Sequence, residues 1–239
     1  MIKGYDNTAA EQTDVPLDRK RFTDVYIAPL PDRIGALPLF PKEREDELLG
    51  IANEKVKREK YYVWRLLEYA AEHSLGVSMD GLAPKKGSSG RWTSPICDFS
   101  LSHGGGAVAV AISSDRVGVD IEEFCAPRHA RLAERTLTSG ELAEYRALSD
   151  VDREGYLITA WSGKEAVFKS REESAFVPSS IDASALRSAD SSANEYTLIS
   201  NCLIIYRKKC VLSLFHRAKN KLRVFKDVDL KVGEKYGKI

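Results

Sequence analysis

Cys97-Asp98-Phe99-Ser100-Leu101-Ser102-His103-Gly104-Gly105-Gly106-Ala107-Val108-Ala109-Val110-Ala111-Ile112 is the stretch on which the fold class turns. Residues 97–103 alternate apolar and polar, as a strand with one covered face does. Three glycines interrupt the pattern, and Ala107 to Ile112 reads as a second strand, so the pair is a hairpin closed by the glycine turn. Downstream, Ser113-Ser114-Asp115-Arg116 is a short polar connector and Val117 to Ile121 a third strand. Residues 130–148 and 152–170 carry helical periodicity, and from Tyr196 onward the pattern is strand-like, with Leu222, Val224, Val228 and Leu230 on one parity. Upstream, residues 84–95 form a basic Gly/Ser/Pro loop. A helical stretch over Lys42 to Leu75 repeats Val63, Leu66, Leu67 and Ala70 on one face, with Gly76 as its stop. Pro29, Pro31 and Pro38 exclude a regular helix over 25–40, and residues 1–24 read as a polar lead-in. The order predicts an α+β fold in two halves of similar size, 1–114 and 115–239.

A chain of 239 residues with 30% charged and 43% hydrophobic residues has the composition of a folded globular protein. No apolar run approaches the ~20 residues of a membrane span, and the amino terminus lacks an apolar signal core. Cys97, Cys125, Cys202 and Cys210 are scattered without a CxxC pair. Reduced thiols in the cytoplasm are therefore expected. A net charge of +1 argues against a nucleic-acid binder, although residues 201–239 hold eleven Lys/Arg against three Asp/Glu. Aromatics are sparse in that basic segment, so a solvated strand surface is the simpler reading and a landing surface for an acidic partner the other.

Three segments could carry chemistry. In Gly118-Val119-Asp120-Ile121-Glu122, residues i and i+2 share a face, so Asp120 and Glu122 project together while Val119 and Ile121 face a core. Paired carboxylates repel unless a cation joins them, and Mg²⁺ takes such oxygen ligands; an acidic strand end beside an arginine is the plainer alternative. In Trp161-Ser162-Gly163-Lys164-Glu165-Ala166-Val167-Phe168-Lys169, helical spacing stacks Trp161, Glu165 and Lys169 in one column, either a surface ion pair or a third carboxylate with a lysine over a phosphate. At the end of the first hairpin strand, Ser102-His103 offers a hydroxyl, an imidazole and free N–H groups suited to phosphate oxygens. A serine hydrolase fits poorly, since no G-x-S-x-G elbow exists and adjacent strand residues point apart. Walker and dinucleotide-binding loops are absent, and no histidine or cysteine stands at zinc spacing.

In this order and spacing, Ser102-His103, Gly118-Val119-Asp120-Ile121-Glu122 and Trp161 to Lys169 resemble the 4′-phosphopantetheinyl transferase superfamily, in its larger Sfp-like class. The resemblance implies two α+β halves related by a pseudo-twofold axis, acting as a monomer in the cytoplasm. It implies a holo-[acyl-carrier-protein] synthase type reaction. The 4′-phosphopantetheine arm of coenzyme A moves to a serine of an acyl or peptidyl carrier protein, and adenosine 3′,5′-bisphosphate leaves. The alternative is a coenzyme A or nucleotide-binding module without turnover. By the same resemblance, Asp120, Glu122 and Glu165 hold Mg²⁺ and Asp120 lies against the coenzyme. Lys169 stabilises the leaving phosphate, and Glu165, or a water it orients, serves as base. Ser102, His103 and Arg91 hold the pyrophosphate and 3′-phosphate end. Gly90-Arg91 stands where the family has G-[KR]-P, with Trp92 in place of the proline. Lys57, Arg58 and Arg65 are further candidates for the 3′-phosphate. Carrier docking is expected beside Lys169, over Glu172 to Asp182, through Phe176, Val177 and Arg171. No nucleic-acid or membrane partner is implied.

Overall fold

The computed structural model describes residues 21–34, 40–124, 129–187, 195–205 and 208–230. In chain order the first elements are β1 (Phe22–Pro29), α1 (Lys42–Leu49), α2 (Glu54–Leu75), α3 (Met79–Leu82), β2 (Lys85–Lys86) and β3 (Trp92–Thr93). The hairpin β4 (Asp98–Gly104) and β5 (Ala107–Ser113) follows, then β6 (Gly118–Glu123), α4 (His129–Thr136), α5 (Ser139–Ala147) and α6 (Asp150–Lys169). A 3-10 turn at Pro178–Ser180 leads to α7 (Ala183–Arg187), and β7 (Tyr196–Ile205), β8 (Lys208–Arg217) and β9 (Lys221–Phe225) complete the described elements. The class is mixed α+β.

Two sheets carry the architecture, ordered β4-β5-β1-β9 and β6-β8-β7, with β2-β3 as a small separate ribbon. Alternation along β1 and β5 divides the core. Tyr26, Ala28, Val108, Val110 and Ile112 face α2, whose Trp64, Leu66, Leu67, Ala70 and Ala71 cover them. Val25, Ile27, Ala107, Ala109 and Ala111 face the second sheet, against Val119, Ile121, Leu212 and Leu214. On the outer side of that sheet, Leu198 and Phe215 pack with Ala166 and Val167 of α6. The result is helix, sheet, sheet, helix in layers, and the strand bearing Asp120 lies in the middle of the stack.

The hairpin holds as expected, and Gly105 and Gly106 turn it at φ of 61° and 79°. The helix expected over 42–75 is two helices, because Gly50 ends the first and the Asn53 side chain accepts the N–H groups of Lys55 and Val56 to start the second. Gly76 stops α2 at φ 70°. The helix expected over 130–148 is likewise two, divided at Thr138, which forms a capping box with Glu141.

β1 is a strand that periodicity could not show, since both its faces are buried and its apolar residues do not alternate with polar ones. It pairs antiparallel with β5 and parallel with β9. The β9 edge is held by Arg223, whose Nε and Nη2 lie 2.6 and 2.5 Å from the buried Asp24 carboxylate, which also accepts the Ser74 hydroxyl at 2.6 Å. Beside it, burial pushes the Tyr26 hydroxyl up to about 12, and that oxygen bonds His73 Nδ1 and Ser74 Oγ. The last described strand thus closes the first sheet, while residues 114–115 lie in the connector between β5 and β6. Among the described residues Cys97, Cys202 and Cys210 form no disulfide, and no helix is long and apolar enough to cross a membrane. Cys125 lies outside the described residues.

Candidate active site

Two glycines decide where the acids sit. A Cβ on Gly118 would stand 1.8 Å from the carbonyl oxygen of Ala166, so only glycine lets β6 lie against α6. A Cβ on Gly104 would stand 2.3 Å from the carbonyl oxygen of Ile121, so the end of β4 likewise closes on β6. Strand alternation then turns Asp120 and Glu122 toward the helix, where Glu165 and Lys169, one turn apart, face them.

The Asp120, Glu122 and Glu165 side chains each offer an oxygen, and these oxygens lie within 4.8 Å of one another. Lys169 Nζ is 2.6 Å from Asp120 Oδ1 and 3.2 Å from Glu165 Oε2, and it donates to Ser102 Oγ at 3.1 Å. Ser102 donates to Asp120 Oδ1 at 2.9 Å. The other Asp120 oxygen, Oδ2, is buried and accepts no protein hydrogen bond. Trp161 Nε1 donates to Glu122 Oε1 at 3.2 Å, and its ring stands edge-on to Phe176. The tryptophan therefore ties the helix to the acidic strand.

The electrostatics follow from crowding. Burial first, then the charges of Asp120 and Glu165, raise Glu122 to about 7, with the Trp161 N–H and Lys169 working against the rise. Burial also raises Glu165; Lys169 pulls it back and Asp120 adds to it. Burial disfavours the Lys169 ammonium, but Asp120 and Glu165 outweigh that and raise it. One ammonium among three carboxylates leaves a deficit of positive charge, and the donors are oxygen only. An orphaned acceptor within an all-oxygen set fits a hard divalent cation such as Mg²⁺.

His103 follows Ser102 on the opposite face of β4. Its Nδ1 is 3.4 Å from Glu59 Oε2, and burial lowers its pKa against the pull of Glu59, with Lys169, Lys60 and Arg44 adding to the fall. Of the helix cations expected near a phosphate, Arg58 instead donates to the Asp32 carbonyl and Arg65 pairs with Glu68. Besides Lys169, Lys60 and Arg44 are cations whose charge reaches His103. Arg91 is not in the acidic group. Its Nη2 is 2.8 Å from both Asp98 oxygens, and its Nε donates to the Lys169 carbonyl at 2.7 Å. Over 171–182, Phe176 is half-buried against Trp161 and Phe168, whereas Val177 is 52% exposed.

Sequence reasoning passed over Lys164 and Glu141. Lys164 is wholly buried, donating to Glu141 Oε2 at 2.5 Å, the Thr136 carbonyl at 2.9 Å and the Pro178 carbonyl at 3.1 Å. The signals available were the S/T-x-x-E pattern of Thr138 and Glu141 and a lysine on the inner face of an amphipathic helix.

Residues 116–216 match the family model described as the 4′-phosphopantetheinyl transferase superfamily. That span includes Asp120, Glu122, Glu165 and Lys169, and begins after Ser102-His103. A curated relative, the 4′-phosphopantetheinyl transferase psf-1 of Bacillus pumilus, is 36% identical over 75 residues. The match covers 31% of this chain and 32% of that relative, so the chain spans about a third of its length.

Proposed function

We propose, from the match of residues 116–216 to the 4′-phosphopantetheinyl transferase superfamily model, that the protein moves the phosphopantetheine arm of coenzyme A onto a serine of an acyl or peptidyl carrier protein and releases adenosine 3′,5′-bisphosphate. The observation that carries this reading is the convergence of Asp120, Glu122, Glu165 and Lys169 at the junction of the two sheets, with an acceptor left over. Such a cluster is costly to hold and has no evident use as a scaffold.

Asp120, Glu122 and Glu165 would hold Mg²⁺, which when bound supplies charge cancellation and Lewis acidity at the pyrophosphate. Asp120, at the base of the group, also lies against the coenzyme. Lys169 presents its ammonium to charge developing on the leaving phosphate. Glu165, or a water it orients, takes the proton of the attacking serine. Phosphoryl transfer of this kind relies on positioning and charge stabilisation more than on covalent help. At the coenzyme's phosphate end, His103 would offer its imidazole, with Lys60 and Arg44 near enough for their charges to act on it. The two halves, 1–114 and 115–239, would be related by a pseudo-twofold axis, in a monomer working in the cytoplasm. The carrier would dock over 171–182, with Val177 and Arg171 as the outward groups for an acidic partner.

The test is direct. Purified protein is incubated with Mg²⁺, coenzyme A and several apo-carriers, and each carrier is weighed by mass spectrometry. Gain of the phosphopantetheine arm on at least one carrier is expected. Binding of coenzyme A without a mass gain on any carrier would overturn transfer and leave the binding-module reading.

A further inference from the structure

Three side chains of β4 stand at i, i+2 and i+4 and carry short oxygen groups: Asp98, Ser100 and Ser102. Opposite them, at the entry to β6 and along it, three backbone N–H groups follow the same spacing. Asp98 Oδ2 accepts from Val117 N at 2.9 Å, Ser100 Oγ from Val119 N at 3.0 Å, and Ser102 Oγ from Ile121 N at 3.2 Å. β6 pairs with β8 along its other edge, so on this edge Val117, Val119 and Ile121, all fully buried, would have unpaired N–H groups. The side chains of one sheet thus stand in for the missing strand of the other.

The two ends of this ladder reach the reactive cluster. Ser102 also donates to Asp120 Oδ1 and accepts from Lys169 Nζ, so its single donor and both lone pairs are engaged inside the protein. At the far end, Arg91 binds the Asp98 carboxylate, approaches the carbonyls of Phe99 and Val117 at 3.3 Å, and reaches the carbonyl of Lys169, the last residue of α6. A cation there also suits the negative end of the helix dipole. Arg91 therefore links β4, β6 and the end of α6.

We propose that Asp98, Ser100 and Ser102, braced by Arg91, are positioning residues that fix the register of the Asp120 strand and the end of the Lys169 helix relative to each other, and that Arg91 and Ser102 act in this way rather than as ligands of the coenzyme's phosphates. The role is defined within the transfer reaction proposed above and rests on that reading, but the geometry it controls can be measured without turnover.

Two arms decide it. In the first, Mn²⁺ alone is titrated into wild type, Ser102→Ala, Ser100→Ala and Ser100→Thr at a temperature well below unfolding. Ser102→Ala should weaken Mn²⁺ binding about tenfold, the scale of one lost hydrogen bond to a charged group. Ser100→Ala, one rung from the acids, should weaken it several-fold, and Ser100→Thr, which keeps the hydroxyl, should restore it. Wild-type Mn²⁺ affinity in both alanine variants would overturn the proposal. If Ser102→Ala does not fold, the Ser100 pair is read in the same way. In the second arm, Arg91→Ala is assayed with coenzyme A and with dephospho-coenzyme A. A positioning arginine lowers kcat by a similar factor with both and leaves their ratio within about twofold of wild type. A loss confined to coenzyme A, seen as a raised KM, would return Arg91 to the 3′-phosphate. If wild type modifies no carrier at all, the transferase reading fails, and the Mn²⁺ arm still decides the ladder.

Discussion

Helix α6 carries two lysines five residues apart, and they live in opposite circumstances. Lys164 and Glu141 have side chains 0% and 1% exposed, and every strong donor and acceptor of the pair is answered: three acceptors around the ammonium, and the N–H groups of Thr138 and Ala183 on the carboxylate. Lys169 is 28% exposed and pairs with two of a group of three carboxylates, Asp120 and Glu165, and Asp120 keeps an orphaned oxygen. The first charge pair is closed, and the second is short of positive charge and open on one side. The difference teaches that burial of a charge does not mark a site. An unanswered surplus of one sign, at a place a ligand can reach, does.

The largest effect should come from breaking the closed pair. Lys164→Met leaves Glu141 charged and buried, and should cost about 3–5 kcal/mol of stability in urea unfolding. Adding Glu141→Gln, which removes the charge and keeps one carbonyl oxygen to accept from Thr138 or Ala183, should recover part of that loss. No recovery would mean the pair is not the unit described here.

Breaking the open cluster should do the reverse. Asp120→Ala and Lys169→Met should each lower carrier modification by at least ~10²-fold, as removal of a charge-stabilising group does. Their unfolding midpoints should move far less than that of Lys164→Met. A variant that turns over normally with Mg²⁺ supplied would remove its residue from the site.

A third contrast is in pH. Glu122 is raised to about 7 from an ordinary 4.5, so in metal-free protein its contribution to stability is complete below about 4.5 and is lost as pH rises through about 7. Cation binding needs the ionised form and runs the other way: Mn²⁺ affinity should fall about tenfold per unit as pH drops below 7. Saturating Mn²⁺, which holds Glu122 ionised in the folded state, should therefore flatten the stability change across that window. A pH-independent affinity between 5.5 and 8 would exclude Glu122 from the ligand set.

The smallest effect sharpens the same point. Trp161→Phe keeps the ring packing against Phe176 but deletes the N–H that favours the Glu122 carboxylate. The pH midpoint of Mn²⁺ binding should rise by about half a unit, with little change in stability. An unchanged midpoint would reduce Trp161 to a packing residue.

Much of this was legible along the chain. Strand alternation over 97–112, the glycine turn, the stop at Gly76 and the same-face pairing of Asp120 with Glu122 depend on neighbours within a few residues, and a linear pattern records such neighbours directly. Helical spacing likewise puts Glu165 and Lys169 on one column, and the two side chains pair. What escaped was everything decided across distance. β1 is buried on both faces and so shows no period, and β9 returns to pair beside it through an Asp24–Arg223 contact spanning almost the whole chain. Arg91 and Ser102 carried the residue types that phosphate contacts need, but a hydroxyl or guanidinium is equally suited to a carboxylate or a backbone group. Which of these it meets depends on how closely β4 and α6 approach β6. The sequence by itself determined the α+β class and the residues available for acid–metal chemistry, because periodicity and residue type are local properties. Only the tertiary structure decided that Asp120, Glu122, Glu165 and Lys169 meet, that Lys164 does not join them, and that a ladder of side chains holds the meeting point, because hydrogen bonds between distant strands leave no mark on either strand alone.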